Sequence, residues 1–430
     1  MTVLSLAELA SVWPHPGGPL FWITKVSPHY LGPVASFFMG WMNFLAYIAS
    51  IGSAGFSSTQ TVTALITNLY GYEWDRWQMC LVYWGFALSF VPISLRASWL
   101  PAWSVAALVC LILTLLVTVG IWLSHMEPQS PKFVFTHFVN NTGWASSGFV
   151  FVLSLVQTTF AMSGLEAATH MSFETKEPQR TIPLVLVCSV AASTILCFGF
   201  AILLLFALGP LESLSNSSLG AIYLQLYVNS IGKASGLAVA TIIMLLLNQF
   251  CGVQLLSASS RVIWALSRAQ WVPFSSIFAR VNPITGVPVP ATFFSVTVSM
   301  LLGLLYVASD TAWNAIASCV VGAFQLTYIA PLLIQLLFHG RSRLPSGRYF
   351  NLDVPFLPGL GYVINALAVL WGLCIFVISL FPVYLPVTAS GMNYSVVVFG
   401  LWAFLLIPYW LFIARYQRSS ERLDQDLTAL

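Results

Sequence analysis

The sequence predicts an all-α membrane protein, and three observations lead there. Of its 430 residues 58% are hydrophobic and only 7% charged, with a mean hydropathy of +0.87. A soluble domain carries roughly 25% charged residues, so this chain cannot clothe its surface for water. Apolar runs repeatedly reach the ~20 residues that cross a bilayer. They also lack the ten-residue alternation of membrane barrels, and in lipid only helices or closed barrels satisfy their own backbone.

Charged residues, proline and glycine delimit ten spans, near 31–66, 78–95, 100–124, 149–168, 184–209, 236–262, 289–308, 312–337, 361–381 and 394–414. Ahead of them HPGGPLFWITKVS (15–27) is short, contains Lys25 and follows Glu8. It reads as an amphipathic helix in the membrane interface, with an ordinary loop as the alternative. The first run, at 36 residues, exceeds the membrane thickness and must tilt strongly or project beyond the bilayer. After Arg415 the tail RYQRSSERLDQDLTAL is polar and reads as a fraying cytoplasmic helix end. Residues 1–430 thus form a single polytopic domain: 31–414 holds the ten spans and 415–430 the tail. The start MTVLSLAELASVWPHPGG lacks the basic stretch and cleavage site of a secretory signal, so the internal spans direct insertion.

Sidedness follows from the basic residues. One set of loops holds Lys25, Arg96, Lys176, Arg180, Arg261, Arg268, Arg280, Arg341, Arg343, Arg348, Arg415, Arg418 and Arg422; the other holds Arg76, Lys132 and Lys233. Thirteen against three places both termini in the cytoplasm, with the plasma membrane as the expected location. The N-x-[ST] sequons at Asn140, Asn216 and Asn393 all fall on the sparse side, which agrees. Asn393 lies too close to the membrane to be an expected carbohydrate site.

Several chemistries are excluded. The seven cysteines lie in apolar runs with no CxxC spacing and read as small buried hydrophobes rather than disulfides or metal ligands. No G-x-x-x-x-G-K-[ST] loop is present to bind nucleotide, and no H-E-x-x-H or paired intramembrane aspartates suggest a membrane enzyme. No cofactor, metal or nucleic-acid partner is expected; the partners are the lipid bilayer and a small solute.

The residue that raises a functional question is Glu166. Twelve of the thirteen acidic residues sit in loops, termini or span ends, whereas Glu166 closes the run FVFVLSLVQTTFAMSGL. An ionisable side chain in lipid costs at least ~2.5 kcal/mol, so it should face a cavity or a partner. Ser163-Gly164 just ahead weakens the helix, and an interrupted helix exposes N–H and C=O ends that bind ions. An amine or zwitterion would find complementary charge there. The alternative is that Glu166, eighteenth from Phe149, ends the span and pairs with Lys176 or Arg180. Asn248, Gln249 and Gln254 on one span, and Gln157, Thr158 and Thr159 ahead of the break, are weaker candidates, since helix–helix hydrogen bonds explain such residues equally well.

Four stretches carry a family resemblance. SLAELASVWPHPGGPLFW (5–22) resembles the AE-x-x-S-x-(Y/W)-P-x-x-GG signature of amino acid–polyamine–organocation transporters. FAMSGLEAATHMSFETKEPQRTIP (160–183) resembles the broken sixth span of that family, and SSRVIWALSRAQWVPFSSIFARVNPITGVPVPA (259–291) the loop after its eighth. FPVYLPVTASGMNYSVVVFG (381–400) is similar to the C-terminal signature of the fungal subgroup that takes up choline, γ-aminobutyrate and related amino compounds. The resemblance implies the inverted five-helix repeat of the leucine-transporter class, with substrate between two broken helices. Met162, Ser163, Gly164, Leu165 and Glu166 would then line the pocket, with Asn248 a further contact and the acid near the amine or the coupling proton. The chain departs from the family at Gln270 and Phe173, where acids are usual, which would cost a cytoplasmic charge pair. Set against that pattern the chain is expected to lack the first span and most of the second, so 1–30 would be the remnant of the second span plus the interfacial helix.

The expected function is secondary active transport of an amino acid or amine by alternating access, coupled to protons, with sodium left open. A nutrient sensor, or a permease inactivated by truncation, is the competing expectation.

Overall fold

In an apolar run surrounded by hydrocarbon every backbone N–H must find its carbonyl within the segment, and the helix does so residue by residue. The computed structural model describes residues 1–125, 128–209, 219, 222–338, 341, 344–345, 347–353, 357–389 and 391–415. Among these, nine helical stretches are long and apolar enough to cross a membrane. They are α3 (Gly32–Tyr70), α4 (Arg76–Ser89, extended by a turn to Ser94), α5 (Leu100–His125), α7 (Pro178–Ala207), α9 (Lys233–Arg268), α10 (Val289–Ala308), α11 (Asp310–Leu337), α12 (Leu360–Ile378) and α13 (Ser395–Tyr409, continuing to Ala414). Shorter helices are α1 (Thr2–Val12), α2 (Pro19–Val26), α6 (Ser147–Ala161) and α8 (Ile222–Ile231). Nine of the ten expected spans are therefore continuous helices, and the tenth, 149–168, is α6 followed by a break.

Local sequence sets the ends. Asp75 and Gln78 form a reciprocal capping box on α4. The Ser309 hydroxyl accepts from the Thr311 N–H at the start of α11, with Asp310 in the first turn against the helix dipole.

Burial separates an inner from an outer set. In α3 and in α11, 72% of the most apolar stretch is buried, against 6% in α7 and 11% in α5 and α13. The first pair is the spine of the bundle, and the other three present their leucines and valines outward, as lipid requires. The length of α3, 39 residues, follows from this inner position. Four of its hydroxyls are satisfied within the helix: Ser50, Ser53, Ser58 and Thr59 each donate to the carbonyl four residues back at 2.7–3.0 Å.

Two expectations change here. Helix α2 forms where a short helix was foreseen, but Pro19, Leu20, Phe21, Trp22, Ile23 and Val26 are all buried, packed on α3 and α11, so its apolar side faces the bundle. Of the cysteines, all free, Cys80 and Cys319 are buried, whereas Cys188, Cys197, Cys251 and Cys374 sit on the apolar outer surface. A thiol is apolar enough to be at home there too.

Contacts join loops in two groups. Arg76 pairs with Asp310 at 2.8 Å, Leu385 N–H donates to Thr142 O, and Trp144 Nε1 donates to Pro382 O. Separately, Ala97 N–H donates to Thr285 O, Arg261 pairs with Glu174, and Glu8 pairs with Arg341. Each contact joins loops that the charge count had put on the same side. Two sequons have their amides engaged: Asn140 Nδ2 donates to Trp144 O, and Asn393 Nδ2 donates to Ser379 O and Phe381 O. Asn216, Arg343 and the tail from 416 lie outside the described residues.

Candidate functional site

Helix α6 starts cleanly, with the Ser146 hydroxyl accepting from Phe149 N–H, and stops at Ala161. Its last N–H groups tighten into short turns, Met162 to Thr159 O and Ser163 to Phe160 O, and the Ser163 hydroxyl takes the Thr159 carbonyl at 3.0 Å. Gly164 then adopts φ +80°. No atom lies within 4 Å of where its Cβ would stand, so the need for glycine is conformational and not steric. Its N–H donates to Tyr328 Oη of α11 at 2.9 Å. The chain resumes as a 3₁₀ helix, Ala167–Glu174, opened by Thr169, whose N–H and hydroxyl both donate to Glu166 O. Five residues, 162–166, thus interrupt the span where the sequence placed the break.

Glu166 is fully buried. Tyr47 Oη of α3 donates to its Oε1 at 2.8 Å, and His170 Nε2 lies 3.9 Å from the same oxygen. Its Oε2 makes no hydrogen bond of good geometry, although Tyr328 of α11 lies close enough to interact with the carboxylate. The acid is therefore inside, facing Tyr47 and His170, and not at a span end pairing with Lys176 or Arg180. Phe324 stands edge-on to Tyr47 at 5.2 Å and stacks with Tyr328 at 5.7 Å, so a buried aromatic cluster adjoins the carboxylate through the Tyr47 hydroxyl. Met162 and Leu165 line a cavity of about 680 Å³ with Thr158, Thr159 and Gln325, whose Oε1 is buried without a partner. That volume suits a small organic solute. A second cavity, about 500 Å³, brings together Ser53, Gln157, Phe160, Asn314 and Ser318.

Of the five residues of the break, Met162 and Leu165 line the 680 Å³ cavity, whereas Ser163, Gly164 and Glu166 are not in its lining, and neither is Asn248. Its Nδ2 donates to Ser57 Oγ at 3.1 Å, and Ser57 lies ten residues beyond Tyr47 on α3, about 15 Å of helix rise. Tyr47, His170, Phe324, Gln325 and Tyr328 are site neighbours that sequence reasoning missed. An aromatic in a span full of aromatics gives no signal, although His170 at four residues from Glu166 could have been read as sharing its face.

The segment between α1 and α2 buttresses the break. Gly18, at φ +50°, lies so close that a Cβ would fall 2.8 Å from Thr169 Oγ1 and 3.3 Å from the His170 ring. Its neighbour Pro16 offers its carbonyl to His170 Nδ1 at 2.6 Å. The HPGG and GLEAATH stretches are thus two halves of one contact. His15, stacked on Phe21 and accepting from Gly17 N–H, has its pKa pushed down to about 3 by burial and by the positive charges of Lys25, His170 and Arg268. Of the two departures from the family pattern, Phe173 stands edge-on to His15 and Trp264, and Gln270 sits at φ +61°. Glu174 supplies a charge partner, taking Arg261.

A second buried acid, Glu8 on α1, was read from sequence as merely terminal. It is 1% exposed and receives Arg341 Nη1 at 2.5 Å, Nη2 at 3.0 Å, Arg348 Nε at 3.0 Å and Leu352 N–H at 3.0 Å. Asp353 takes Arg341 Nη2 at 2.7 Å and Gly361 N–H at 3.0 Å. Burial would raise the Asp353 carboxyl, but the Arg341 and Gly361 hydrogen bonds and the charges of Arg341 and Arg348 hold it below the usual range.

Nine long apolar helices around an interrupted one with a buried acid define a multi-pass membrane protein of the transporter kind. A family model described as amino acid permease matches residues 1–403. The chain is 30% identical over 415 residues to a choline transporter of Saccharomyces cerevisiae, covering 94% of this chain and 71% of that one. It is 29% identical over 432 residues to an uncharacterized amino-acid permease of Schizosaccharomyces pombe (99% and 78%) and 28% identical over 435 residues to amino-acid permease BAT1 of Arabidopsis thaliana (96% and 82%). The chain belongs to the amino acid permease family, within the amino acid–polyamine–organocation group, whose members are transporters rather than enzymes.

Proposed function

We propose that the protein carries a small amino compound, an amino acid or an amine such as choline or γ-aminobutyrate, inward across the plasma membrane by alternating access. Both termini then face the cytoplasm, as the arginine-rich loops favour. The observation that carries the reading is Glu166: a fully buried carboxylate held in the gap of a broken span. A buried charge is retained where something compensates it, and a cationic nitrogen or a proton does so. Met162, Ser163, Gly164, Leu165 and Glu166 form the substrate-facing surface, and the cavity beside Met162 and Leu165 admits a solute of this size. Tyr47, Phe324 and Tyr328 cluster beside the acid, and a quaternary ammonium favours such aromatic faces once a ligand parts them, in keeping with the choline transporter among the relatives. Asn248, bonded to Ser57, joins α9 to α3. Protons are the coupling ion in this reading because a buried carboxylate such as Glu166 is compensated by one.

The test is uptake of radiolabelled choline and γ-aminobutyrate in a permease-deficient yeast expressing the full chain, with sodium replaced by N-methylglucamine in a parallel set. The wild type accumulates one probe in an acid-stimulated, sodium-independent manner, and Glu166→Gln abolishes uptake or its pH dependence. Uptake by E166Q with an unaltered pH response would refute the role of the acid. Binding without uptake in the wild type would instead support a sensor.

A further inference from the structure

Two buried titratable side chains, His170 and Glu166, face each other at the break, the unpartnered His170 Nε2 toward the Glu166 oxygen that also accepts from Tyr47. His170 Nδ1 lies 2.6 Å from the Pro16 carbonyl, which can only accept, so Nδ1 carries the hydrogen. In the neutral ring Nε2 is then a bare lone pair, and it has no hydrogen-bond partner. Glu166 Oε1 stands 3.9 Å in front of it, with both side chains wholly shielded. A lone pair opposite a carboxylate in a dry interior is repulsive. One proton placed between them, on the ring or on the acid, turns the contact favourable. The pair is built to hold a single proton.

The second observation is the access route. His170 lines a cavity of about 500 Å³ together with Pro16, Phe173, Glu174, Arg261, Trp264 and Arg268, among the loops of the arginine-rich group. Glu166 is not part of that lining, and His170, 3.9 Å from it, is. The charged and titratable groups around the ring come from every neighbouring element. Its own segment gives Glu166 and Glu174, α3 gives Tyr47, edge-on at 5.7 Å, and α11 gives Tyr328 beside Glu166. The α1–α2 segment gives His15, α2 gives Lys25 and α9 gives Arg261 and Arg268. Arg261 is engaged by Glu174, and His15 is held neutral, which leaves His170 as the imidazole that faces Glu166.

We propose that His170 is the relay that passes the coupling proton between this cavity and Glu166. A proton taken up at Nε2 makes the ring cationic. A shift of about 1 Å brings Nε2 within hydrogen-bond reach of Oε1. The N–H bond then breaks as O–H forms, leaving a neutral ring and a neutral acid, while Nδ1–H stays on Pro16 throughout. The inference rests on the transport reading above.

The experiment uses the full chain in liposomes with labelled choline and γ-aminobutyrate as probes, in two modes: accumulation driven by an interior near about pH 7.5 against an exterior near about pH 5.5, and probe exchange at equal pH. His170→Asn keeps an N–H for Pro16 but cannot carry the proton. It should lower gradient-driven accumulation at least about tenfold, lower exchange at most about threefold, and flatten the pH profile. Accumulation at wild-type levels would overturn the relay, and so would equal loss of both modes, which marks a positioning role alone. His170→Gln answers the same question where H170N does not reach the membrane. Wild-type liposomes inactive in both modes would sink the transport reading itself, whereas an active wild type with an intact gradient response in H170N sinks only the relay.

Discussion

Replacing Glu8 by glutamine is the sharpest perturbation of the fold that these contacts allow. Glu8 accepts four hydrogen bonds, three of them from the guanidinium groups of Arg341 and Arg348, and its side chain is 1% exposed, as Arg341 is 2%. The amide is nearly isosteric, but it removes the charge and turns an NH₂ donor toward guanidinium donors. Removing one partner of a buried ion pair costs about 3–5 kcal/mol, because the other charge stays desolvated. Asp353 still reaches Arg341 and Arg348, which argues for the lower end. At roughly 2.1 cal/mol/K per residue the unfolding entropy of 430 residues is about 0.9 kcal/mol/K, so E8Q should lower the melting midpoint by about 3–6 °C. The assay is thermal melting in detergent of a chain whose other cysteines are replaced by serine, followed by a thiol-reactive dye that reads the buried Cys80 and Cys319 as they become accessible. Glu8→Leu with Arg341→Met should recover most of the loss, since an apolar pair of similar volume often matches a buried ion pair and Arg348 keeps Asp353. An E8Q midpoint within about 1 °C of the wild type would refute the reasoning.

Acidity and the Gly18 contact give two further expectations. The His15 pKa is depressed in the folded state to about 3, below its unfolded value of about 6.5, so the unfolded chain binds more protons between the two. Stability is fully present above about pH 6.5 and falls with pH through that window, by about 2 kcal/mol at pH 5; His15→Asn, which keeps an acceptor for Gly17 N–H, should flatten the slope in a melting series. Asp353, also depressed, adds a loss only below about pH 4. Gly18→Ala should cost roughly 1–3 kcal/mol, from a positive φ and a Cβ only 2.8 Å from Thr169 Oγ1. Thr169→Ala in the same chain should recover the steric part alone, and a G18A midpoint equal to the wild type would show that the loop has moved off the break.

The sequence revealed what local chemistry dictates. Span positions, the basic-side count and the interruption at Ser163-Gly164 follow from hydropathy, charge and a glycine's backbone freedom, and each was legible without partners. What surrounds the interruption was not. Tyr47 and Tyr328 are unremarkable in their own spans and become neighbours of Glu166 only when α3 and α11 close around it. Glu8 shows the limit in the other direction: near a terminus an acid is normally solvated, and nothing nearby foretells that residues more than 300 positions away will bury it. Asn248 stood out as a polar residue in an apolar run, and its partner is a serine on a neighbouring helix, the ordinary fate of such residues. The outer cysteines illustrate why burial inside the protein and burial in lipid cannot be separated by hydropathy alone.

The distance along the chain between Glu8 and Arg341, 333 residues, has a consequence for biogenesis. At ribosomal rates of about 5–20 residues per second, roughly 20–60 s pass between synthesis of the acid and synthesis of its counter-charge. Throughout that interval α1 cannot settle into its final place without stranding a carboxylate. The first helix therefore stays unlocked until Arg341 has been made, and a nascent chain stalled before that residue carries its buried acid without a counter-charge.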